Sequence, residues 1–230
     1  MIGFSKLIGG GGSLPPLGVT YVGSNGSSSD AEDYTFSSAS LGTNTTSDYW
    51  LITCGGRAGN NDRYVVDVTI DGQIHDVHWR PTYDSTGKDR DAILSYMALV
   101  PCTGSSTGTI LIDGAGGNWQ SGGYSLFVLT GLQSTTAINE VQTIVDVGQS
   151  IGQSGSTGAI TFASLTTNSS SPPDEKPASG WTIGASSQVL QGSGNSYHSS
   201  GYYPNTGDTN VSMNLLPGGD RESQLFVTLR

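Results

Sequence analysis

Short β-prone runs, each closed off by a cluster of Gly, Ser, Asn or Pro, follow one another along this chain, and no window sustains an i, i+3, i+4, i+7 apolar stripe. Such a chain builds layers of sheet. The runs fall at 19–22, 34–36, 48–54, 64–70, 73–79, 92–100, 109–112, 124–130, 141–147, 159–162, 181–185, 211–215 and 224–229. Gly55-Gly56 is read as ending the run before it. Asp71-Gly72 is a strong hairpin signal between two runs. The best helical window, 134–145, is rich in β-branched residues, which favour strand. The expected fold is all-β, a sandwich or jelly roll, with no long helix.

Composition narrows the function classes. Hydrophobic residues make up 34% of 230, and the shortfall is filled by Gly, Ser, Thr and Asn rather than by charge, since charged residues are only 12%. Low charge together with clear strand patterns separates the chain from disordered ones. The net charge is −10, with nine Lys and Arg dispersed along the sequence. Nucleic-acid partners need clustered cations to displace phosphate counterions, and anionic membranes need them for the same electrostatic reason, so neither partner is expected. No apolar run approaches the ~20 residues of a spanning helix, and membrane insertion is not expected. The start of the chain lacks an apolar core segment and a small-residue cleavage site, so export through a signal peptide is not expected. Cys54 and Cys102 each fall at the end of an apolar run and read as buried reduced thiols, with a disulfide left open.

Residues 1–18 read as a separate arm and 19–230 as the body, with a possible sub-boundary near 135–158. The arm carries Phe4, Leu7 and Ile8, then the glycines of 9–12, then Pro15-Pro16. An apolar head on a flexible tether has no core of its own. Phe4, Leu7 and Ile8 are therefore the expected anchoring residues, docking on a neighbouring subunit. A likeness between residues 34–41 and 160–165 is too slight to establish duplication.

Several patterns hint at chemistry, and each has a plainer reading. Gly148-Gln149-Ser150-Ile151-Gly152 matches a G-x-S-x-G elbow, with Asp174 and His198 following in order. The glycines after Ser150 exclude the helix that motif requires. His75 and His78, placed on one strand, would point to opposite faces and bind no metal. Asp84, Asp89 and Asp91 surround Gly87 without calcium-loop spacing and with Arg80, Lys88 and Arg90 beside them. No catalytic residue, metal or cofactor is expected. The most suggestive stretch is 195–205, with Tyr197, His198, Tyr202 and Tyr203 among Ser, Gly and Asn. That is the composition of a binding or interface loop, and Trp119 among glycines is a similar candidate.

A resemblance gives these readings a setting. The order Tyr34-Thr35-Phe36-Ser37-Ser38-Ala39-Ser40-Leu41-Gly42, then the strand to Cys54 with Gly56-Arg57-Ala58, then Ala98-Leu99-Val100-Pro101, Thr107-Gly108-Thr109-Ile110 and residues 129–136 resembles uncharacterised virion proteins of tailed phages and prophages. Gly3-Phe4-Ser5-Lys6-Leu7 before polyglycine also looks like the start of phage structural proteins. The likeness covers roughly residues 1–135 and rests on strand-and-turn phrases. It implies a β-sandwich body and a place in the virion after assembly in the host cytoplasm. The expected role is non-enzymatic: a capsid decoration, head fibre, neck or tail fibre component, contacting other virion proteins and forming a homo-oligomer. The alternative is a carbohydrate-binding module that attaches the particle to a cell-surface glycan.

Overall fold

The computed structural model describes residues 16–58, 63–80, 92–145, 157–169, 175–177, 181–191, 195–205, 213–215 and 219–230. The strands are β1 (Gly18–Ser27), β2 (Tyr34–Ser40), β3 (Tyr49–Ala58), β4 (Tyr64–Ile70), β5 (Gln73–Ile74), β6 (Val77–Trp79), β7 (Ala92–Pro101) and β8 (Thr107–Ala115). They continue with β9 (Ser121–Thr130), β10 (Asn139–Val145), β11 (Ile160–Ser169), β12 (Glu175–Pro177), β13 (Thr182–Gln191), β14 (Asn195–Pro204), β15 (Met213–Leu215) and β16 (Gly219–Leu229). No helix occurs among the described residues, and the all-β expectation holds. Of the arm at 1–18, residues 1–15, with the anchoring residues Phe4, Leu7 and Ile8, lie outside the described residues.

Three antiparallel sheets are stacked. The middle sheet has the order β1-β9-β3-β7-β6. One face carries β2-β8-β4-β5 and the other β10-β16-β11-β14-β13, while β12 and β15 pair separately. Alternation along β3 explains the stacking. Trp50, Ile52 and Cys54 point into one core with Phe36, Val68, Ile70 and Ile110 of the first outer sheet. Leu51 points into a second core with Met97, Leu99 and Phe127 of its own sheet and with Phe162, Leu225 and Val227 of the second outer sheet. A strand covered on both faces reads as a continuous apolar run, as 49–54 and 94–100 do. Each fully buried large apolar side chain contributes roughly 1.5–3 kcal/mol.

The hairpin at Asp71-Gly72 forms as expected. Both residues have positive φ, 49° and 79°, which suits the right-handed twist of the flanking strands. Asp71 Oδ2 also accepts a hydrogen bond from Thr103 Oγ1 at 2.8 Å.

Three sequence expectations need correction. The run 73–79 is two strands, because the chain leaves β5 in one sheet and enters β6 in another. Gly55-Gly56 does not end β3, which continues to Ala58 with both glycines paired on each side. Residues 195–205 are not a loop: Asn195–Pro204 is β14, an interior strand between β11 and β13.

Candidate functional site

The residues with the most chemistry meet where the middle sheet faces β11, β14 and β16. One half of this interface is apolar, and the other is a layer of hydroxyls around an imidazole. Thr53, Ser95, Ser121, Thr166, Ser196, His198 and Ser223 are all fully buried there. His198 Nε2 is 3.1 Å from Thr53 Oγ1, and its Nδ1 is 3.3 Å from Thr166 Oγ1. Ser95 Oγ donates to the Ser223 carbonyl at 2.8 Å and lies 3.2 Å from Thr166 Oγ1, whose hydroxyl can donate to it. The Ser95 amide donates to Ser223 Oγ at 3.0 Å, so this pair ties β7 to β16 in both directions. Ser121 and Ser196 bond through their hydroxyls at 2.9 Å.

Burial lowers the His198 pKa from the ordinary 6.5 to about 4, since a charged imidazole has no water there. A neutral imidazole needs one donor and one acceptor, and a hydroxyl serves as either, so the two threonines satisfy it. A hydroxyl nucleophile with a histidine base would need a substrate within reach of both. Every member of this layer is sealed between sheets. Its chemistry is cohesion: satisfied hydrogen bonds fix the register of two sheets that an all-apolar interface would leave freer.

β14 divides its tyrosines between two faces. Tyr202 turns to the middle sheet, with its ring 6.3 Å from that of Phe127 and 6.2 Å from that of Phe162. Tyr203 turns the other way, 5.7 Å from Trp181. Tyr197 is buried. The expected binding loop is therefore interior structure, because its small and hydroxylic residues fit the narrow space between sheets.

Trp119 is also buried rather than displayed. Its backbone forms a two-way bridge with Ala31, and its ring lies over Gly56, where a Cβ would stand 2.7 Å from Cε3. The sequence missed this use of Gly55-Gly56: each glycine admits a ring from an opposite layer, His198 over Gly55 and Trp119 over Gly56.

His75 and His78 meet, contrary to the opposite-face expectation. His78 Nδ1 is 2.9 Å from His75 Nε2, and His78 stacks on Tyr96 at 5.5 Å. They meet because the chain changes sheet between them. The Val68 amide donates to His75 Nδ1, which leaves Nε2 to donate to His78. Burial first, then His75 and Arg80, lower the His78 pKa. Asp113 is raised, by burial and then by Asp33 beside it. Among the described residues no group of three or more His, Cys, Asp or Glu is arranged to hold a metal. Gly148, Ser150, Asp174, Asp84, Asp89 and Asp91 lie outside the described residues. Cys54 and Cys102 are both free and buried, and burial raises both thiols, Cys102 to about 12.

An open groove of about 390 Å³ lies between β6 and residues 135–140, with Val77, Trp79, Ala137 and Ile138 in its lining. Ile138 is 46% exposed there. No protein-family model, curated protein or solved structure matches the chain.

Proposed function

We propose that this chain is a non-enzymatic structural component of a tailed-phage particle, displayed on its surface and held there by the arm at residues 1–18. The resemblance of residues 1–135 to phage virion proteins supplies the setting. The observation that carries the reading is the sealed hydroxyl layer. The histidine and hydroxyls best suited to catalysis are fully buried and spend their hydrogen bonds joining two sheets. A body braced in this way suits a part that must stay folded outside the cell. The glycan-binding alternative rested on residues 195–205 as a surface loop, and that support is withdrawn by their place in β14.

The test is localisation. Antibodies against the folded body, applied to intact particles from a lysate, should label a fixed position on the surface under electron microscopy. Particles that carry neither label nor this chain by mass spectrometry would overturn the proposal.

A further inference from the structure

We propose that Asn25 is a site of spontaneous covalent modification in the folded chain: the Gly26 amide nitrogen closes on the Asn25 carboxamide, and the residue becomes aspartate and isoaspartate.

The sequence holds a single Asn-Gly pair, at 25–26. Glycine has no side chain to shield its nitrogen from the group it attacks. Both residues are exposed in β1, so water and hydroxide reach them. The Gly26 amide donates to Asn25 Oδ1 at 2.8 Å. That contact holds the nitrogen beside the carboxamide carbon and polarises the carbonyl it would attack.

The chemistry needs only water. Gly26 N loses its proton to hydroxide and bonds to Asn25 Cγ. The Cγ–Nδ2 bond breaks, and the nitrogen leaves as ammonia after taking a proton from water. The product is a five-membered succinimide. Water then opens the ring. Opening at Cγ gives aspartate, and opening at the backbone carbonyl routes the chain through the side chain as isoaspartate. Either product adds a negative charge. Isoaspartate also adds a methylene to the backbone of β1, which takes Gly26 and Ser27 out of register with Gly123 and Gly122.

The fold protects the competing positions. Asn44 spends its carboxamide on the carbonyls of Leu41, Gly42 and Ser105, and the nitrogen after it, on Thr45, is held by Asp48 Oδ2 at 2.7 Å. Asn118 is exposed, but the next nitrogen belongs to bulky Trp119 and donates to the Ala31 carbonyl at 2.7 Å. Asn195 is followed by Ser196, which is fully buried in β14. Aspartate before glycine can close the same ring, and both such pairs are restrained. Asp71 accepts from Ser105 and Thr103, which hold its pKa below the ordinary value and keep it an ionised, poor electrophile. The Gly114 nitrogen after Asp113 donates to Asp33 Oδ1 at 3.0 Å.

An extended backbone sets the Gly26 nitrogen out of line for ring closure, so the reaction follows the opening of the strand end. Asn25 is two residues from the end of β1, and the exposed residues 28–30 follow. Strand ends open at little free-energy cost. The folded chain therefore reacts more slowly than the unfolded chain, and it reacts first at this position.

The purified full-length chain, kept folded in warm, mildly alkaline buffer, provides the test. Peptide mapping by mass spectrometry reads the mass gain of replacing –NH2 by –OH, and enzymatic methylation reads isoaspartate. Position 25 should convert at least tenfold faster than Asn44, Asn118 or Asn195, and isoaspartate should appear there. Gly26→Val, an exposed change to a strand-favouring residue, should slow the conversion at least tenfold while circular dichroism shows the fold retained. Conversion at position 25 no faster than at the other three, a rate unmoved by Gly26→Val, or conversion confined to chains unfolded in urea would each overturn the proposal.

Discussion

Gly55 lies beneath the imidazole of His198, so close that a Cβ on residue 55 would stand 2.5 Å from Nδ1 and 2.6 Å from Thr166 Oγ1. The middle sheet and the β11–β14 sheet can close to this distance only because residue 55 has no side chain. Gly55→Ala should therefore destabilise the protein by about 1–3 kcal/mol, the usual range for overpacking. His198→Ala makes room for that methyl, so the double variant should lose less than the sum of the two singles. Urea denaturation of the four proteins measures the coupling, and strict additivity would separate the two positions.

Tyr202 completes an aromatic group with Phe127 and Phe162 between sheets. Its truncation removes packing rather than a binding surface. Tyr202→Ala should cost about 2–4 kcal/mol, somewhat below a fully buried aromatic because the residue is only half-buried. Tyr203→Ala should cost less than Tyr202→Ala, since its partner Trp181 is also only half-buried. Thermal denaturation of both variants checks the order.

Acid should weaken the fold through His198. Its folded pKa of about 4 lies below the ordinary 6.5, so the unfolded chain takes up a proton first as pH falls. The stability linked to this group is fully present above pH 6.5 and is lost progressively as pH falls from 6.5 to about 4. The shift corresponds to about 3 kcal/mol at 1.36 kcal/mol per unit. Asp113 acts in the opposite sense, because a carboxyl raised in the fold gains stability on protonation. His198→Gln should remove this residue's share of the acid slope while the shares of His78 and Asp113 remain. Denaturation midpoints across pH 4–7 for both proteins provide the comparison.

The sequence made most of the fold legible because strand alternation is a direct imprint of burial. Tyr64–Ile70 and the Asp71-Gly72 turn were readable from pattern alone. β14 was not, because its inward row is Ser196, His198 and Tyr202 rather than a series of aliphatic residues. The partners that make this row interior, Ser121, Thr53 and Phe127, lie 75 or more residues away in sequence. Gly55-Gly56 misled for a related reason. A glycine pair is a stop signal locally, and only the third dimension shows rings from two layers resting on it. The His75–His78 contact depends on a change of sheet that no periodicity records. The groove at β6 combines residues from 77–79 and 135–140, and short-range pattern cannot join them.

The account turns on the hydroxyl layer being sealed structure rather than an accessible site, and the ionisation of one side chain reports on that directly. An NMR titration of the His198 ring carbon and nitrogen signals should show a neutral imidazole down to pH 5 or below, with an apparent pKa near the expected value of about 4. Such a result places the ring between the sheets, away from water. Titration of His198 near 6.5, as for a solvated imidazole, would contradict the sealed layer and return residues 195–205 to the surface.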